Sequence, residues 1–109
     1  MELIEEIKKS ITLEIRQDSK ESLEAVVTKE GLERLQSILS KHLGPAIKEA
    51  GKKAEIPKHL QSLVDSFRGL RIEQSFYCRQ EGTQLIHAAL WPWESNPDRT
   101  TLKLGITKL

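Results

Sequence analysis

The stretch that most constrains the fold is Gly69 to Trp91, GLRIEQSFYCRQEGTQLIHAALW. Leu70, Ile72, Phe76 and Cys78 alternate with Arg71, Glu73, Ser75 and Arg79, the period of two of a strand that buries one face. Past Gln80-Glu81-Gly82, a second apolar run extends from Gln84 to Trp91. A three-residue loop with Gly82 in the left-handed region is a common way to close such a hairpin. That loop predicts Phe76 opposite Ile86, Gln74 opposite Ala88 and Ile72 opposite Leu90, on a face that reads as core. The other face then carries Arg71, Ser75, Tyr77, Leu85, His87 and Trp91, a mixed and partly aromatic surface.

The rest of the chain supplies partners for this hairpin. Leu3, Ile4, Ile7 and Ile11 recur at helical spacing, so Met1 to Ser10 reads as an amphipathic helix too short to stand undocked. Ile11 to Arg16 alternates apolar and polar residues and predicts a strand. Turn residues at Gln17–Lys20 lead to a second strand through Leu23, Ala25 and Val27. Thr28 is placed to cap a helix whose inward face is Leu32, Leu35, Ile38, Leu39 and Leu43. Gly44-Pro45 stops it, one further helical turn is expected over Ala46–Ala50, and Lys52–Glu55 is a polar connection. Pro57 opens another helix with Leu60, Leu63, Val64 and Phe67 on its inner face, closed by Gly69. After the hairpin and the loop Trp91–Arg99, a last strand runs from Thr100 to Leu109.

The element order is therefore α-β-β-α-α-β-β-β. One apolar face per strand predicts an α+β fold, a five-stranded antiparallel sheet with helices packed on one face. Sensor domains of the PAS type and profilin-like folds resemble this chain in the order of their elements.

Composition narrows the functional classes. A chain of 109 residues, 38% hydrophobic and 30% charged, with net charge +1, reads as a single globular domain over residues 1–109. Near-neutral charge gives no overall attraction to nucleic acid or membranes. The single cysteine, Cys78, excludes an internal disulfide and suits a reducing cytoplasm. No stretch approaches the run of about 20 apolar residues that spans a bilayer, and the acidic start MELIEEIKKS does not resemble a secretion signal.

Chemical motifs are absent: no Gly-rich phosphate loop, paired cysteines, HExxH or nucleophile elbow occurs. His42, His59 and His87 lie far apart in sequence, so no metal is expected. The predicted register puts Cys78 and His87 on opposite faces, which separates the one thiol from the nearest imidazole in sequence. His59, at the margin of the Pro57 helix, is the single residue that could ligate a haem in a PAS-like pocket, and an exposed role suits it better. Lys41, Lys48, Lys52, Lys53 and Lys58 cluster in sequence without an aromatic neighbour to stack a base, and read as a solvated face.

Trp91-Pro92-Trp93 is the least ordinary segment. Two indoles beside a proline carry more apolar area than a loop can bury by itself, and either fold back as a lid or anchor a partner. Tyr77, Leu85, His87, Trp91 and Trp93 are accordingly the candidate partner-binding residues. The sequence predicts a small cytoplasmic interaction or regulatory domain without catalytic activity or cofactor, self-associating as a homodimer. The competing reading is a small-molecule sensor with an apolar pocket between sheet and helices.

Overall fold

The computed structural model describes residues 2–67 and 69–108. It contains helix α1 (Glu2–Ser10), strands β1 (Glu14–Asp18) and β2 (Leu23–Thr28), helix α2 (Lys29–Leu43), and a 3₁₀ turn (Lys58–Leu60) leading into helix α3 (Gln61–Ser66). Strands β3 (Ser75–Glu81), β4 (Gln84–Pro92) and β5 (Arg99–Lys108) follow. This is the mixed α+β fold and the element order expected. The five strands form one antiparallel sheet in the order β1-β2-β5-β4-β3. The last strand therefore lies at its centre, between the two hairpins.

The register of the β3–β4 hairpin differs from the predicted one. Glu81 pairs with Gln84, Cys78 with His87, Tyr77 with Ala88, Phe76 with Ala89 and Ser75 with Leu90. The connection is the two-residue Gly82-Thr83, with Gly82 at φ 62°, in place of the loop over Gln80–Gly82. Moving a turn this far exchanges which side chains share a face. Tyr77 consequently leaves the company of Leu85, His87 and Trp91, and Cys78 joins it.

One face of the sheet is covered by α1 and α2. Leu3, Ile4 and Ile7 of α1 and Leu35, Ile38, Leu39 and Leu43 of α2 pack against Leu23, Ala25, Val27, Tyr77, Ala88, Leu90, Leu102 and Leu104. The 3₁₀ turn and α3 lie on the other face, where Leu60 and Val64 meet Phe76, Cys78, Leu85 and Ala89. Helices thus flank both faces, not one. The reason is in β4: Leu85 to Trp91 is apolar at nearly every position, as expected of a strand covered on both sides.

Several local expectations shift. Ile11 is 8% exposed and its amide bonds to Ile7 O at 3.0 Å, continuing the helical turn, so β1 begins only at Glu14. Residues 46–50 do not form a helical turn. They run along the outer edge of β3, where Phe76 N donates to Lys48 O at 2.9 Å and Ile47 N to Phe76 O at 2.8 Å. Ile72 lies outside β3 and is 61% exposed, not in the core opposite Leu90. The ammonium of Lys48, itself 2% exposed, explains this turn: it donates to Ile72 O at 2.6 Å, Gln74 O at 2.5 Å and Glu49 O at 3.1 Å.

Candidate functional site

The sheet's second face is where the candidate residues gather, and it is covered unequally. Over β3 and β4 it is closed by Leu60, Val64 and the flanking Ile47, Ile56, Leu63, Phe67 and Leu70. Over β5 and β2 it carries Thr101, Lys103, Gly105 and Thr107 beside Glu24 and the buried Val26, positions alternate to the helix-covered Leu102, Leu104, Ala25 and Val27. Trp91 and Trp93 stand at the edge of this open half, each half-buried.

The tryptophan segment is held from both sides. Trp91 pairs across the sheet with Thr101, meets the Phe67 ring edge-on at 6.1 Å, and has the Lys103 ammonium 5.5 Å from its ring centre. Trp93 N donates to Arg99 O at 3.0 Å, and its indole Nε1 donates to Thr101 Oγ1 at 2.8 Å. The Arg99 guanidinium lies 5.7 Å from the Trp93 ring and bonds Glu14 at 3.1 Å. Both indoles therefore fold back on the chain, and each keeps some surface.

His87 sits deeper, 7% exposed. Its Nε2 shares a hydrogen bond of 3.0 Å with Thr107 Oγ1, and its ring lies 5.7 Å from that of Phe67. Burial, with Lys103 adding to it, pushes its pKa down to about 4, so the imidazole is neutral near pH 7. Across the strand on β5, Gly105 leaves room for the ring: a Cβ there would stand 3.3 Å from His87 Cε1. Among the described residues, the Nδ1 of His87 and the Nε1 of Trp91 are buried without a hydrogen-bond partner.

The remaining sequence candidates fall elsewhere. Tyr77 is 5% exposed within the α1–α2 core, and Leu85 is 2% exposed beneath the α3 layer. Both are spent on the chain's own packing, a correction that follows from the register. His59 is exposed on the 3₁₀ turn. Cys78 and His87 are neighbours on one face, contrary to expectation. Burial pushes the Cys78 thiol up to about 11 while His87 sits at about 4, so the pair holds no thiolate at neutral pH. Among the described residues no three His, Cys, Asp or Glu side chains converge on a common point, and no helix is long and apolar enough to cross a membrane.

Sequence reasoning missed the structural use of Lys48 and the pairing of His87 with Gly105. The glycine at the centre of an otherwise alternating strand was the available signal, since glycine inside a strand marks a close approach of another group. No protein-family model, curated protein or solved structure matches the chain, so the reading of its function rests on the chemistry of this face.

Proposed function

We propose that the chain is a small, non-catalytic interaction or regulatory domain that pairs with a second copy of itself through the open half of the second sheet face. The observation that carries this reading is the unequal covering: α1 and α2 close one face, whereas α3 stops over β3 and β4, leaving two tryptophans at the margin of what remains. Two-fold pairing lets a moderately apolar patch bury itself against its twin, and half-buried indoles are common anchors of such contacts. The charges around Trp93 suit a self-complementary surface, because Glu14 lies beside both Arg16 and Arg99, so a two-fold axis can set acid against base. The space between the α1–α2 layer and the sheet is filled by Leu35, Leu39, Val27, Ala25 and Leu102, all fully buried. That packing favours association over an apolar ligand held between those layers. The separated pKa values of Cys78 and His87 support a non-catalytic role.

Sedimentation across a wide concentration range tests the proposal. A concentration-dependent dimer is expected, and Trp93→Ala should weaken it about tenfold or more while the monomer stays folded. Thr101→Arg, which sets like charges across the axis, should abolish it. A chain that stays monomeric up to about millimolar concentration, the limit of weak association, removes the proposal.

A further inference from the structure

On the same face, about 13 Å along β5 from Thr101, a cleft of about 230 Å³ opens over Gly105. Gly105, His87, Lys103, Glu24 and Gln17 are among its lining residues. Glu24 and Lys103 face each other across the β2–β5 ladder, where opposite charges normally pair. No ion pair joins them: the Lys103 ammonium lies instead 5.5 Å from the Trp91 ring centre and 5.9 Å from that of Phe67. Beside them is the buried His87, which also lines the cleft. An acid and a base left apart on the walls of one cleft present complementary charge to a ligand that carries both signs.

We propose that this cleft binds a small zwitterion of the α-amino acid class, with its ammonium toward Glu24 and its carboxylate toward Lys103. The volume suits a ligand of few heavy atoms, below the range of about 300–1,000 Å³ common for larger ligands. One carboxylate and one ammonium on the walls select against a simple anion, which Glu24 repels, and against a simple amine, which Lys103 repels. A Cβ at Gly105 would stand 3.3 Å from His87 Cε1, crowding the ring and filling part of the cleft. The cleft shares the open half of this face with the proposed pairing surface, although it contains neither Trp93 nor Thr101, so the titration below is read at a protein concentration where the chain is monomeric.

Nuclear magnetic resonance titration of the full chain with L-alanine, propionate and ethylammonium, each up to about 0.1 M so that millimolar affinity is detected, tests the assignment. L-alanine should shift the Gly105 amide and the His87 ring signals in a saturable way. Propionate and ethylammonium should bind at least about tenfold more weakly. Glu24→Gln and Lys103→Met, both at surface-accessible positions, should each weaken L-alanine binding by a similar factor with the fold retained, and Gly105→Ala should abolish it. Propionate equal to L-alanine, with Glu24→Gln indifferent, would make this a plain anion site and overturn the proposal. Unmoved Gly105 and His87 signals at the highest L-alanine concentration would overturn it too.

Discussion

His87 shows how a single residue ties stability to pH. Its pKa is about 4 in the folded chain and near the ordinary value of about 6.5 once unfolded. Between those values the unfolded chain binds a proton that the folded chain refuses, so stability falls as pH drops from about 6.5 to about 4. A gap of this size is worth about 3 kcal/mol when fully expressed. Urea unfolding at pH 7, 6, 5 and 4 should show a shallower acid loss for His87→Gln than for the parent chain, and parallel losses would mean that His87 protonates freely in the fold. Lys48 makes the opposite use of burial. Desolvation lowers its pKa, with Glu73 opposing, yet its ammonium holds the carbonyls of Ile72, Gln74 and Glu49. Lys48→Met would remove this donor, leaving Ile72 O to Gly51 N and Glu49 O to Lys52 N alone, at a cost of about 2 kcal/mol. Amide exchange at Gly51, whose N–H donates to Ile72 O at 2.7 Å, should accelerate, and an unchanged rate would mean that the 71–74 turn stands without the lysine.

At the scale of elements, α2 contains a glycine that propensity alone does not explain. Gly31 lies in the first turn of the helix, where alanine would ordinarily gain about 1 kcal/mol. Here a Cβ would stand 2.9 Å from Ile11 Cγ2 and 3.2 Å from Val27 Cγ1. Gly31→Ala should therefore lower the melting temperature, and a rise would show that Ile11 can yield. The example marks what the sequence could and could not disclose. The elements were legible because each carries a periodic apolar pattern: Leu35, Ile38, Leu39 and Leu43 in α2, and Leu102 and Leu104 in β5. Register was not, because it hangs on where one turn closes, and Gly82 admits a loop that ends at it as readily as one that starts at it. That slip moved Tyr77 and Leu85 from a supposed surface into two separate clusters, and it hid the adjacency of Cys78 and His87. Trp91 and Trp93 survived as candidates because a loop beside a sheet edge keeps them near the surface in either register. The Lys48 clamp was illegible for another reason: its partners are main-chain carbonyls, which leave no trace in side-chain pattern.

The whole molecule is a sheet with one face closed in cis by α1 and α2 and the other closed only in part, and this asymmetry separates two kinds of covering. Leu3, Ile4 and Ile7 are at most 4% exposed, and α1 is tied to its neighbours by Glu6 with His42 at 2.9 Å and by Lys8 with Asp18 at 2.5 Å. These polar contacts are solvent-accessible and contribute little. The three apolar side chains contribute about 1.5–3 kcal/mol each, a large share of a domain stability of about 5–15 kcal/mol. Deleting residues 2–9 should therefore expose Tyr77, Leu23 and Leu104, lower stability by several kcal/mol at every protein concentration, and raise binding of an apolar dye. Trp93→Ala should act chiefly on assembly: it should change the mass distribution with concentration, with only a smaller, concentration-independent cost from the lost Thr101 bond. The two perturbations act on opposite faces of one sheet, so their effects should add in a combined variant. If the deletion dissolved the dimer while the shortened monomer stayed as stable as the parent, α1 would be an assembly element and not a lid, and the second face would lose its claim to the interface.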